Sequence, residues 1–463
     1  MTNPDLTPRQ WHGLWRSVGY NRILEIDRDG YALYTATMGH ATLSEQGSAR
    51  EFARAFDRLE INQQGRLSLF QAHDLTRYEF ERRSSWEPDF PIYRAPYNDP
   101  LLNLAAFCEV FAENYAFFDL RQVDWPAQCD AARTRVGPSP SSAMLLEAFE
   151  DMITPLADLH VYVTAPARRI RSMQIARGPR DALRAVFDLP TPQLSARSTT
   201  ERIAAQLRAT LLGDFASTLD RYRRAGNDVV SWGTLRPGVG YLSLLRMFGF
   251  AATEAARTAD DLPHRLSDVG PFMDADMRAF DRILDDAMAD LAEHKALVVD
   301  ARLNAGGFDR AGILLCERLI DRPYTVYRKK ARWQQGFTEP QSLTLTPSQG
   351  PRFVKPVVLL TSSFTQSAGE VFALAMSALP SVTILGEPTQ GILSDNLFHR
   401  LPAGWEVSLS NEVYETPDGR CFEAVGVPPH TRLPTLGAGD LLSDMRAGLR
   451  IAAERASERA RGL

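Results

Sequence analysis

The spacing of apolar residues changes several times along the chain, and the changes divide it into blocks. In the first 95 residues short alternating runs are punctuated by turns. Arg22–Ile26 and residues 31–37 flank Asp27-Arg28-Asp29-Gly30, which predicts a hairpin. Residues 66–71 and 76–82 predict a second strand pair, and residues 48–59 a helix between the pairs. Together they read as a small β module, with a barrel as one possible form. Residues 88–100 are rich in proline and read as a linker.

From Leu101 the period becomes helical. Residues 101–115 predict one helix. Residues 142–157 predict another, with Leu145, Leu146, Phe149, Met152, Ile153 and Leu156 along one face. Residues 164–235 are rich in arginine and read as mostly helical, above all 199–225. Short, wholly apolar runs then begin near Gly238 and recur before Asp300 and before Thr361, as buried strands do. They alternate with helical stretches at 272–293 and 440–459. The reading is thus α/β: a β-rich module at 1–95, a helical domain at 96–235, an α/β core at 236–435 and a C-terminal helix at 436–463.

The most informative stretch is where the run Val357–Leu360 enters Thr361-Ser362-Ser363-Phe364-Thr365-Gln366-Ser367-Ala368-Gly369-Glu370. A buried strand stops, a polar turn follows, and an apolar helix starts at a serine. The first turn of a helix carries unpaired N–H groups and a partial positive charge. A hydroxyl placed there can attack a carbonyl while a neighbouring N–H holds the oxyanion. Ser367-x-x-Glu370 is equally the pattern of a capping box, which needs no catalysis. A second strand ends in Asp300-Ala301-Arg302-Leu303-Asn304-Ala305-Gly306-Gly307, whose glycines let backbone N–H groups approach a ligand. A third turn is Gly386-Glu387-Pro388-Thr389-Gln390-Gly391. A fourth segment runs from Tyr414 through Pro417-Asp418-Gly419 to Phe422-Glu423-Ala424-Val425-Gly426-Val427-Pro428-Pro429. Each is ordinary turn chemistry by itself.

In order, "VVDARLNAGG", "VVLLTSSFTQSAGEVFALAM", "ILGEPTQG" and "YETPDG…FEAVGVPP" resemble the tail-specific, or C-terminal processing, serine protease family over residues 238–434. A weaker likeness extends upstream through "NYAFFDLRQVDW" and "MITPLADLH". The resemblance implies a crotonase-like (ClpP/crotonase) fold of ββα units. It implies Ser367 as nucleophile, and an oxyanion hole from the N–H of Gly306 or Gly307 with that of Ala368.

The base departs from the Ser/Lys branch of that family, whose lysine follows the "GEPTxG" turn. Ile392 stands there. The chain has only Lys295, Lys329, Lys330 and Lys355. Lys295 and Lys355 precede the two turn-bearing strands and should lie at their far ends, and Lys329 and Lys330 read as exposed. A histidine is the alternative, since imidazole titrates near neutrality. His160, in Asp158-Leu159-His160, resembles the "D-x-H" motif of the tricorn-core branch, and Glu423 its late glutamate. The implied set is Ser367 as nucleophile, His160 as base and Glu423 as the carboxylate supporting it. That branch can place a serine before the histidine, where Leu159 stands here. Whether Glu423 acts directly, through water or with Asp158 is therefore open. His399 is the reserve base. His294 reads as a helix C-terminal cap, and His430 replaces an aspartate of the family that reads as structural.

Composition limits the alternatives. Of 463 residues 44% are apolar and 24% charged, and the net charge of −5 gives no reason to expect nucleic acid or an anionic membrane as partner. Four scattered cysteines and the lack of zinc-ligand spacing or HExxH point to no metal or other cofactor. Cys108 and Cys316 fall in apolar helical patterns and read as core residues. No secretory signal or spanning segment is evident, so the expectation is a cytoplasmic protein, with export of a longer form as the alternative. Residues 164–235 lack the glycine-punctuated strand pattern of a PDZ domain. The expected function is a serine-type peptidase acting on peptides or unfolded protein tails, with homo-oligomerisation possible. A catalytically inactive, ligand- or peptide-binding relative is the rival.

Overall fold

The computed structural model describes residues 9–71, 75–172, 213–214, 217–251, 266–434 and 441–462. The predicted hairpin forms, with Arg22 opposite Thr35 and Ile26 opposite Tyr31. Asp27 makes its turn, its carboxylate accepting from the N–H groups of Asp29 and Gly30 at 2.8 Å each. The module is an eight-stranded sheet in the order Phe56–Ile61, Leu67–Gln71, Arg77–Arg83, Gly13–Ser17, Arg22–Ile26, Gly30–Ala36, Ala41–Ser48, Ile92–Tyr93. That order has two ends, so the ladder stays open rather than closing into a barrel. The helix expected at 48–59 is only Ala49–Ala55, because Phe56–Ile61 pairs with Leu67–Gln71. Inside the proline-rich stretch, Ile92–Tyr93 runs parallel to Ala41–Thr42.

The helical layer consists of Pro100–Asn114, Phe118–Arg121, Trp125–Val136 and Ser142–Ile153, the last extended by a 3₁₀ turn at Thr154–Leu156. Asp99, Asp124 and Ser141 cap the longer helices. All six apolar-face residues from Leu145 to Leu156 are buried, as are Cys108 and Cys316. Phe107 stacks on Phe149 with centroids 3.8 Å apart. The same cluster takes in Val161, Val163, Val407 and Leu409. These belong to a four-stranded sheet ordered Arg169–Arg171, Tyr162–Thr164, Glu406–Ser410, Asn396–Arg400. Chain preceding residue 235 therefore pairs directly with chain from the α/β core.

The central sheet has seven strands, in the order Asp220–Ala225, Val230–Arg236, Val239–Leu244, Ala296–Asp300, Val357–Thr361, Val382–Gly386, Thr431–Arg432. The last five run parallel. Side chains alternate between two covered faces. Leu297, Val299, Val357 and Leu359 pack with helices Leu266–Leu291 and Ala368–Ser377. Val298, Val358 and Leu360 pack with Met445 and Leu449 of helix Leu441–Arg461. Burial on both sides is why these strands read as unbroken apolar runs.

Two expectations differ from the structure here. Asp220–Ala225 is a strand, not the end of a helix, so the sheet starts before Gly238; the rest of the expected 199–225 helix lies largely outside the described residues. Its sequence, DRYRRA, is charged because it is an edge strand, held by pairing with Val230–Arg236. Among the described residues no helix is long and apolar enough to cross a membrane.

Candidate active site

Ser367 sits at the start of helix Ala368–Ser377, directly beyond the turn that ends strand Val357–Thr361. The chain contains ordinary serine caps for comparison. Ser48 and Ser141 have extended backbones, with φ/ψ of −70°/165° and −74°/161°. Ser367 has φ 53° and ψ −128°, a region that residues bearing a Cβ rarely enter. Such a conformation costs roughly 1–3 kcal/mol and persists only where surrounding structure enforces it.

Asn304 and its neighbours do the enforcing. Buried Asn304 accepts the Gly306 N–H on Oδ1 at 2.9 Å, donates from Nδ2 to Leu244 O at 2.9 Å, and accepts the Gln366 N–H on its carbonyl at 3.1 Å. One side chain thus fixes the glycine turn against the serine turn. Gly306, at φ 85°, lies so close that a Cβ there would fall 2.7 Å from Ser367 Cβ and 2.8 Å from Gln366 O. Gly307, at φ 138°, likewise has no room, with Phe248 and Met247 against it. Since the Gly306 N–H is used by Asn304, it is not a spare donor. Among the described residues no acceptor is found for the N–H groups of Gly307 or Ala368.

Glu370 ties this corner to the next loop. Its buried carboxylate accepts from Ser367 N–H at 3.2 Å and Ile392 N–H at 2.8 Å on one oxygen. The other oxygen takes Thr389 Oγ1 at 2.6 Å and Gly391 N–H at 2.5 Å. Burial pushes the carboxyl up to about 7, against the pull of these four donors. The expected box with Ser367 is therefore one part of a larger junction. The very next N–H groups, of Leu393 and Ser394, bond Glu423 Oε2 at 2.8 and 3.2 Å. Glu370 and Glu423 are thus held by consecutive residues of a single loop.

Glu423 leads toward His160. Its carboxyl is raised well above the ordinary range, by burial first and then by the nearby Asp158 and Glu370. Arg121 opposes this, with Nη2 3.6 Å from Oε1, and donates from Nη1 to Ala157 O at 3.1 Å. Asp158, fully buried, accepts the His160 N–H at 2.9 Å and the Tyr115 hydroxyl at 3.0 Å. Ser408 Oγ donates to His160 O at 2.8 Å and bonds Asn396 Oδ1 at 3.1 Å. Asn396 is two residues beyond Ser394, so the carbonyl of buried His160 is tied through Ser408 to the strand that follows the loop holding Glu370 and Glu423. Tertiary structure thus draws His160 and Glu423 to the same loop as the Ser367 turn.

The remaining candidates separate from this neighbourhood. Ile392 is buried and bonds Glu370 through its backbone, where a lysine was sought. Lys355 binds Ala292 O and His294 O at the far end of its strand, as expected. Lys329 is not exposed, contrary to the sequence reading. Its side chain is 4% accessible, with the ammonium on Thr76 Oγ1, Glu412 and the Tyr414 hydroxyl at 2.6–3.2 Å. Charge composition hid this, because the burial comes from the β module packing over that strand. His399 faces Thr35 of the β module at 3.2 Å, and burial holds its imidazole down to about 3. It is a neutral wall residue there. His294 caps its helix through Leu291 O, and His430 Nδ1 accepts the Ile384 N–H. Arg121 and Tyr115 lie within NYAFFDLRQVDW, the weaker upstream likeness, which assigns neither a role. Asn304 could have been found as a polar residue between a buried strand and paired glycines.

Comparison with known proteins bears on the fold and on part of the chain. Residues 270–433 match the profile of peptidase family S41, a span that holds both turns and Glu423 but not His160. Over 138 residues the chain is 31% identical to a carboxyl-terminal-processing protease of Picosynechococcus sp., and over 139 residues 27% identical to the chloroplastic carboxyl-terminal-processing peptidase 2 of Arabidopsis thaliana. Each match covers 30% of this chain, and 31% and 26% of the relatives' lengths respectively. Among solved structures, a putative peptidase from Parabacteroides merdae superposes with a TM-score of 0.57 at 21% identity, covering 78% of this chain and 97% of that one. Mature CPAF gives 0.51 at 13% identity, covering 78% and 98%. The fold is shared with such peptidases over most of the described chain.

Proposed function

We propose that this chain is a serine peptidase that cleaves peptides or protein tails through an acyl-enzyme, with Ser367, His160 and Glu423 as the working set. Ser367 Oγ adds to the scissile carbonyl carbon while His160 takes its proton. The tetrahedral intermediate collapses, the C–N bond breaks and His160 returns the proton to the departing amine. Water then repeats the sequence on the ester, releasing the acid and free serine. Gly307 and Ala368 supply the N–H groups for the oxyanion, the Gly306 N–H being spent on Asn304. Glu423 and Asp158 hold His160 in place, Asp158 through the backbone N–H at 2.9 Å. The parallel core, with helices against both faces, is read as the crotonase-like ββα arrangement.

The observation that carries this reading is the backbone of Ser367. A plain helix cap is extended, whereas Ser367 is held at φ 53° against Gly306, next to the N–H of Ala368. A fluorophosphonate probe tests it. Labelling of the wild type that disappears in Ser367→Ala, together with hydrolysis of an unstructured peptide by the wild type alone, is the expected result. No labelling of well-folded protein would refute it in favour of a non-catalytic binding protein.

A further inference from the structure

Cys108 and Cys129 stand on different helices, Pro100–Asn114 and Trp125–Val136, and meet in the aromatic core of the helical layer. The reaction outlined above uses neither. Trp125 sets their approach. Its indole N–H donates to Cys108 O at 3.0 Å, and Cys129 follows one helical turn later on the same buried stripe as Ala132 and Val136. The two thiols share a hydrogen bond in a site nearly closed to water, the residues being 5% and 4% accessible. That bond raises the Cys108 thiol and lowers that of Cys129, and Arg133, one turn further along, also favours the Cys129 thiolate. Cys316 lies apart from them in the core beside the central sheet, and Cys421 is exposed.

The chain between the two cysteines reaches the candidate active site. Tyr115 donates to Asp158 at 3.0 Å, and Arg121 has Nη2 3.6 Å from Glu423 Oε1. The Ala116 N–H bonds Ser410 O at 3.0 Å. Stacked rings join these contacts to the cysteines. Phe118 lies edge-on to Tyr115 with centroids 4.9 Å apart, and it stacks on Trp125 at 5.4 Å. A single buried cysteine would be read as a small apolar filler. Packing alone does not need two thiols set against each other, one of them acidified, at the two ends of the segment that holds Asp158 and Glu423.

We propose that Cys108 and Cys129 are a redox-active pair, closed by a peroxide into an intramolecular disulfide that staples the segment carrying Tyr115 and Arg121. The Cys129 thiolate attacks one peroxide oxygen, the O–O bond breaks and hydroxide leaves, which makes a sulfenic acid. The Cys108 sulfur then attacks the Cys129 sulfur, the S–O bond breaks, and the departing hydroxide takes the Cys108 proton as water. The two thiols together give up two electrons and two protons, and the peroxide becomes two waters. A bridge across residues 109–128 limits their local opening, so oxidation holds Arg121 on Glu423 and Tyr115 on Asp158 more firmly. The consequence for catalysis rests on the functional reading above; the bridge itself does not.

The test treats the full, folded chain with hydrogen peroxide, blocks the remaining thiols with iodoacetamide and maps the peptides by mass spectrometry. No readout depends on whether the protein cleaves anything. A monomer lacking two hydrogens is expected, with the peptides of Cys108 and Cys129 joined and dithiothreitol separating them again. Cys108→Ala should instead leave Cys129 as a sulfenic acid that dimedone captures, and Cys129→Ala should leave Cys108 as the thiol. Amides in residues 115–124 of the bridged wild type should exchange at least about threefold more slowly than in the reduced form. Should either variant fail to fold, the wild-type map and exchange rates still decide. Oxidation confined to exposed Cys421, bridging that appears only in urea, or a bridge that leaves exchange unchanged would each overturn the proposal.

Discussion

Replacing Ser367 by glycine should stabilise the protein while abolishing activity, the reverse of what glycine does at an ordinary cap. At φ 53° and ψ −128° the serine Cβ is strained by roughly 1–3 kcal/mol. Glycine removes that strain and costs about 0.5–1 kcal/mol through the greater entropy of the unfolded chain. Removing the Cβ forfeits little packing, because its near neighbour is the backbone of Gly306. The net gain is about 0–2.5 kcal/mol. Ser48→Gly and Ser141→Gly serve as internal controls, since both residues are extended and accept an N3 hydrogen bond. Those changes should each cost a few tenths of a kcal/mol. Urea titration followed by circular dichroism and tryptophan emission measures all three variants, with Ser367→Ala alongside. Ala keeps the Cβ and the strain, so it should fall below the glycine variant. If Ser367→Gly is destabilised as much as Ser48→Gly, the serine is an ordinary cap and the strained-nucleophile argument fails.

Gly306→Ala places a methyl 2.7 Å from Ser367 Cβ at φ 85°, so peptide hydrolysis should fall by at least about a hundredfold (~2.7 kcal/mol) with the chain still folded. Glu370 has a folded value of about 7 against an ordinary 4.5, so its contribution to stability is full below pH 4.5 and lost as pH rises through 7; relative to Glu370→Gln, wild-type unfolding free energy should drop by about 3 kcal/mol between pH 4 and 8, and parallel curves would refute this. His160→Gln should abolish hydrolysis, and wild-type kcat/KM should fall on the acid side as the base protonates; a rate that stays flat to pH 4 would remove His160 from the mechanism. Lys329→Met strands Glu412 in a buried site, and a loss of about 3–5 kcal/mol in urea titrations is expected; a change under about 1 kcal/mol would show the ammonium to be solvated instead.

Much of this protein was legible in its sequence because it is written in neighbouring residues. The 3.6-residue spacing of Leu145, Leu146, Phe149, Met152, Ile153 and Leu156 is enough to specify a buried helix face. The glycines at 306 and 307 mark backbone conformations and close approaches that a Cβ forbids, so the turn is visible before any fold is known. The unbroken apolar runs told of strands covered on both sides. Other features depend on which distant surfaces meet, and no local pattern encodes that. The charged strand Asp220–Ala225 exists through pairing with Val230–Arg236, and the burial of Lys329 through contact with Thr76 of the β module. Only the tertiary structure spends the Gly306 N–H on Asn304, sets Arg121 against Glu423 and ties His160 to the strand after the loop that holds Glu370. Those contacts span up to about three hundred residues of chain, and they form because burial removes solvent and leaves the polar groups only other protein groups to bond.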